Sequence, residues 1–185
     1  MGLSPYDFIV NHSEKDRLRF QSFKHRTFNL DDSLAFLTVL QDYYRENSSL
    51  ERLFGQGIVQ GLNTYHELFN DNPWVLRRTL KHIPSPIGGS ACKRMNMFLR
   101  WMVRKDEAGV DFGIWESIKP AELYIPLDVH VGRVARQYGL LSRMQNDWKA
   151  VVELTDSLRH LDPLDPVKYD FALFSLGVNG QSPNQ

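Results

Sequence analysis

The stretch PLDVHVGRVARQYGL, residues 126–140, contains a helix with both of its ends marked. Asp128 follows a proline-containing run and can cap the first turn, because a short carboxylate accepts hydrogen bonds from amides that have no partner inside the helix. Val131, Val134, Ala135 and Tyr138 then recur at steps of three and four residues, which puts them on one face of an α-helix. Gly139 stands where the closing residue must turn left-handed.

The same helical period extends through most of the chain. From Asp31 to Glu46, the residues Leu34, Leu37, Leu40, Tyr43 and Tyr44 form a stripe behind a cap at Asn29 or Asp31. A second segment spans Ile58 to Phe69 and stops at the breaker Asn70-Asp71-Asn72-Pro73, after which Trp74 to His82 reads as a short helix. PSPIGGS, residues 84–90, is a loop. A helix from about Ala91 to Arg104 presents Ala91, Met95, Phe98, Leu99 and Met102 as its apolar face. Lys93, Arg94, Arg100, Arg104 and Lys105 fall largely outside that face and concentrate positive charge. Two further helices follow, one opened by Asn146 and one by the pair Asp165-Pro166. The longest β-like run, ELYIPL at 122–127, is short and contains a proline. The reading is all-α, a single globular domain over residues 1–178 with about seven to nine short helices, followed by a flexible tail at 179–185.

Composition excludes several function classes. Hydrophobic residues make up 42% and charged residues 24%, values of a folding globule rather than a disordered chain. The 22 basic and 22 acidic residues cancel, so a polyanionic partner must be met by a local patch. Cys92 is the only cysteine, which excludes an internal disulfide and a four-cysteine cluster. The six histidines are scattered, and no metal site is expected from them. No Walker loop, dinucleotide fingerprint or nucleophile elbow is present. No apolar run approaches a membrane span, and a cytoplasmic protein with no membrane partner is the expectation.

The run around Asp128 resembles the helix-hairpin-helix DNA glycosylase superfamily, which includes endonuclease III and the 8-oxoguanine glycosylases. In that superfamily a proline or valine precedes Asp-x-His, an arginine and a helix ending at a glycine. The resemblance extends over residues 90–178, from SACKRMNMFLRWMVR to DPVKYDFALFSLGV. The whole chain, through SPYDFI, FKHRTF, KRMNMFLRWMVR and DPVKYDFALF, resembles an uncharacterised bacterial family classed as glycosylase-like. That likeness implies a further N-terminal helical segment ahead of SPYDFI, a motif almost at the start of this sequence, and one wall of the expected DNA cleft would be missing without it.

The superfamily implies base excision from damaged duplex DNA, with Asp128 as the catalytic carboxylate. An anion beside the sugar stabilises an oxocarbenium-like transition state or activates the nucleophile, and a helix N-terminus favours its charged form. Read from the residue alone, Asp128 is an ordinary cap; the run around it brings the catalytic reading level with that one. His130, two residues on, is expected to support the helix start rather than to transfer protons.

The hairpin signature Leu-Pro-Gly-Val-Gly-x-Lys is missing. Between Lys105 and Pro126 the chain offers AGVDFGIW, where Asp111 would repel a phosphate, and Gly109 stands where a nucleophilic lysine is usual. Lys93 is the substitute by resemblance to the archaeal 8-oxoguanine glycosylases, with Lys105 and Lys119 weaker candidates. No cofactor is expected, since the iron–sulfur cysteines are also missing. Arg94, Arg100, Arg104 and Arg133 are the expected DNA contacts, joined by Lys24 and Arg26 of FKHRTF, a stretch that could equally be a connection with its phenylalanines in the core. Three readings stand: a DNA glycosylase acting by hydrolysis, a catalytically inactive nucleic-acid-binding protein, and a helical protein–protein adaptor.

Overall fold

The computed structural model describes residues 4–107 and 109–178; the tail expected to be flexible, 179–185, lies outside them. The described residues form eight α-helices, five 3-10 turns and one two-stranded hairpin, which makes the protein all-α. Among them, no helix is long and apolar enough to cross a membrane.

The chain divides into two compact units, neither continuous in sequence: Met1–Leu53 with Asn63–Pro84, and Phe54–Leu62 with Ser85–Gln185. The first contains α1 (Pro5–Asn11), α2 (Glu14–Arg17), β1 (Lys24–His25), β2 (Phe28–Asn29) and α3 (Leu30–Glu46). Asn29 opens α3 through a capping box: its side chain accepts from the Asp32 amide and the Asp32 carboxylate accepts from the Asn29 amide. Asp32 is wholly buried and also accepts from Thr79 Oγ1 at 2.7 Å, so the cap fixes α3 to the 3-10 turn Arg77–His82. That turn replaces the longer helix expected from Trp74, because Asn72 Oδ1 accepts from the Trp74 amide and holds the chain in a turn there. FKHRTF is a tight hairpin whose turn takes Arg26 to a φ of 55°.

Helix α4 (Ile58–Asn70) contributes its first residues to the second unit. The remainder of that unit is built on α5 (Lys93–Val103), α6 (Val129–Gln137), α7 (Trp148–Leu161) and α8 (Asp170–Val178). Helix α6 ends as its sequence predicts: Gly139 has a φ of 69°, the Leu140 amide donates to Ala135 O at 2.8 Å and the Gly139 amide donates to Arg136 O at 3.1 Å. Helix α7 is capped by Asp147 rather than Asn146. The final helix is delayed, since Pro166–Tyr169 is a 3-10 turn and Asp165 gives its carboxylate to Arg104 instead of to a cap.

The buried face of α5 differs from the apolar stripe read in the sequence. Asn96, Leu99, Arg100 and Val103 are buried, while Met95, Phe98 and Met102 are only half-buried. An arginine faces the interior because carboxylates meet it there, and apolar periodicity carries no signal for such a pair. Between Val103 and Val129 the described residues contain no α-helix, only the 3-10 turn Pro120–Glu122, so the stretch without the hairpin signature is also a stretch without a helical hairpin.

Helices α6 and α8 pack closely at Gly177, where an added Cβ would lie 2.8 Å from His130 Cβ and 3.0 Å from His130 O. Gly177→Ala gains helix propensity but forces these backbones apart. It should cost a net 1–3 kcal/mol, read as a lower urea midpoint with an unchanged m-value.

Candidate active site

Asp128 is the N-cap of α6. Its Oδ1 accepts from the His130 and Val131 amides, each at 2.9 Å. Its Oδ2 accepts from Lys93 Nζ at 2.8 Å. The carboxylate therefore caps the helix with one oxygen and pairs with a lysine through the other. Burial acts to raise the Asp128 pKa, but the Lys93 hydrogen bond and charge and the two amides outweigh it and hold the carboxyl below its usual range. Asp128 thus contributes stability in full at neutral pH, and that contribution is lost as pH falls through its folded-state pKa.

Lys93 is the first residue of α5, and the chain enters the helix at Cys92 with φ 48° and ψ 34°. A left-handed conformation at a buried, non-glycine residue is strained, and it persists only where its surroundings enforce it. Here they do: Ser90 Oγ accepts from the Cys92 amide, and Ser90 pairs with Asp147 at the start of α7. Burial raises the Cys92 thiol to about 11, so it is no thiolate nucleophile.

The Lys93–Asp128 pair stands on a recess of about 110 Å³ bounded by Met97, Pro126, Asp170, Phe171 and Phe174. Phe171 and Phe174 keep about two-fifths of their surface in solvent, and Lys93 Nζ lies 5.8 Å from the centre of the Phe174 ring. The volume is below the ~300 Å³ of ordinary ligand pockets. It suits a single small ring or a few waters, not a whole nucleotide.

Behind the recess lies a charge network. Arg100 is 1% exposed; its Nη1 donates to Asp170 Oδ2 at 2.6 Å, and its Nε and Nη2 donate to Asp111 Oδ2 at 3.3 and 3.2 Å. The guanidinium also stacks on Phe171 at 3.8 Å. Arg104 donates to both oxygens of Asp165, at 3.0 Å from Nε, and pairs with Asp111. Two guanidiniums thus meet three carboxylates. Burial is the main influence on Asp170 and raises its pKa, Arg100 opposes that rise and the charge of Asp128 adds to it.

These contacts correct several sequence expectations. Arg100 is an interior residue and cannot reach a phosphate. Arg104 is committed to Asp165 and Asp111, and its side chain is only 14% exposed. Asp111 is buried between two arginines and repels nothing at the surface. Arg133 is exposed but donates to Gly177 O near the end of α8. Arg94 is exposed and has no ion pair among the described residues, and the same holds for Lys24 and Arg26 of the first unit. The FKHRTF phenylalanines divide between two roles. Phe28 packs tilted against Phe36 and edge-on to His82, while Phe23 is exposed. His130 gives its amide to Asp128 and sets its ring edge-on to Phe174 at 5.9 Å, a supporting position.

Four residues of the site went unread in the sequence: Asp170, Phe171, Phe174 and Met97. A faint signal existed, since Lys93 and Met97, and Asp170 and Phe174, are each four residues apart on one helix. Asn146 was read as a helix start; instead its Nδ2 donates to Asp128 O at 3.2 Å, and Arg136 holds it by a 2.7 Å bond to Oδ1. Among the described residues no cluster of His, Cys, Asp and Glu is arranged to hold a metal ion.

Fold and site together define an all-α protein with a lysine–aspartate pair at a helix N-terminus, opening on an aromatic-walled recess. The chain belongs to the DUF2400 family, described as proteins of unknown function, whose family model matches residues 1–179. No curated protein and no solved structure matches it.

Two measurements test the electrostatics. In Lys93→Met the Asp128 carboxyl should titrate at higher pH than in the parent, followed by carboxyl ¹³C NMR. Arg100→Met leaves Asp111 and Asp170 buried without their shared cation and should cost about 3–5 kcal/mol in urea unfolding at neutral pH. The loss should shrink in acid, where Asp170, left without its guanidinium, takes up a proton.

Proposed function

We propose that this protein is a glycosylase-like DNA-binding enzyme that excises a damaged base by cleaving the N-glycosidic bond. The observation that carries the reading is the 2.8 Å contact between Lys93 Nζ and Asp128 Oδ2 at the mouth of the recess. The two residues lie 35 positions apart in sequence.

The roles follow from charge and geometry. Asp128, kept anionic by the amides of α6 and by Lys93, stabilises positive charge developing on the sugar, as a fixed charge does in a site shielded from water. Phe171 and Phe174 offer faces on which an extruded base can stack. Extrusion is required because the bond is inaccessible within the duplex. Lys93 is within reach of whatever reacts beside Asp128 and is the candidate for an imine route. A catalytically inactive DNA-binding protein is the second reading. It is favoured by the size of the recess and by the loss of Arg100, Arg104 and Arg133 from the expected phosphate contacts.

Incubation with duplexes bearing deaminated, oxidised and alkylated bases, followed by alkali, separates the two readings; strand scission at the lesion is expected. Asp128→Asn keeps a good helix cap, so stability should change by less than about 1 kcal/mol while single-turnover excision falls about 10²–10³-fold. Retention of full activity would exclude Asp128. Borohydride should trap an adduct lost in Lys93→Ala if the imine route operates. Each phosphate contact adds about −1 to the slope of log K against log salt, so Arg94→Ala should make that slope shallower by about 1.

A further inference from the structure

We infer that Asp170 is the proton donor of the recess, delivering a proton to the departing base while Asp128 faces the sugar. The inference rests on the glycosylase reading and deepens it. It also names the substrate class: bases that leave poorly as anions and carry a protonatable ring nitrogen or carbonyl oxygen.

The geometry comes first. Asp170 is 2% exposed, yet it bounds the same recess as Asp128 and Lys93. Its Oδ2 accepts from Arg100 Nη1 at 2.6 Å, and among the described residues nothing donates to Oδ1. It is thus a buried carboxyl group with one oxygen anchored and the other uncommitted, at the wall of a cavity. Arg100 is itself shared with Asp111, which dilutes the cation's hold on Asp170. The charged and titratable groups facing Asp170 are Arg100 and Lys93 from α5, Asp128 from the cap of α6, and Asp111 through Arg100, with the His130 ring of α6 beyond Phe174.

The two carboxyls of the recess are pushed in opposite directions. Burial raises Asp170, while Lys93 and the α6 amides lower Asp128 against the effect of its own burial. Neighbouring carboxyls driven apart in this way divide into an acid and an anion. The chemistry balances. The C1′–N bond breaks and its electron pair moves onto the base, which takes the Asp170 proton. The oxygen of a water bonds to C1′, and the water's proton passes to Asp128. Exchange with solvent then restores Asp170 as the acid and Asp128 as the anion.

The test uses the full chain and the lesion duplex it cleaves best. Asp170→Asn preserves shape and an acceptor for Arg100, and it should slow single-turnover excision about 100-fold and abolish the alkaline limb of the pH–rate profile. Duplex affinity should not change. On a duplex carrying the same base with an electron-withdrawing substituent, the defect should shrink to a few-fold, since that base leaves without a proton; a structural role would slow both equally. Equal defects on both duplexes, or an unchanged alkaline limb, would overturn the assignment with the glycosylase reading intact. A parent protein inert on every lesion would overturn both. Should Asp170→Asn fail to fold, carboxyl ¹³C titration of the parent decides the matter: Asp170 must titrate at higher pH than Asp128, and the reverse order rejects it.

Discussion

A guanidinium buried between carboxylates organises the second unit of this protein. Arg100 of α5 holds Asp111 from the following loop and Asp170 from the start of α8, and its flat face rests on Phe171. Each of those groups would be costly to bury alone, and the cluster is stable only because its members are buried together. Removing the arginine releases both the loop after α5 and the N-terminal turn of α8. The wall of the recess is made of that same turn, so the shape of the site depends on the buried contact between Arg100 and Asp170.

Asp128 joins a helix cap and an ion pair in one side chain. As a cap it satisfies two amides of α6, and as an anion it meets Lys93. The two roles reinforce each other, because amides and ammonium both favour the charged carboxylate. Lys93 is in turn fixed by its position at the first residue of α5, where the left-handed Cys92 and the Ser90 pairing with Asp147 set the direction in which the helix starts. Supporting contacts from Asn146 and Arg136 hold the backbone carbonyl of Asp128. The site is thus assembled from helix termini, which are the places where backbone groups and side chains of opposite charge can be brought to one point.

Much of the helical plan was legible in the chain. The stripe behind Asn29 became α3, the breaker after Phe69 ended α4, and Asp128 with Gly139 bounded α6, since caps and stops act through neighbours in sequence. The misread segments share a cause. Asp165 looked like a cap and instead pairs with Arg104, 61 residues away. Arg100 looked like a surface cation because its partners lie 11 and 70 residues away.

The sequence by itself determined the all-α class, most helix boundaries and Asp128 as the cap of α6, because helical period, capping and residue type are local properties. Only the tertiary structure decided that Asp128 and Lys93 meet, that Asp170 and two phenylalanines complete their surroundings, and that Arg100 and Arg104 belong to the interior. Burial and pairing depend on which distant segments pack together, and a charged side chain carries the same letter whether it faces water or another charge.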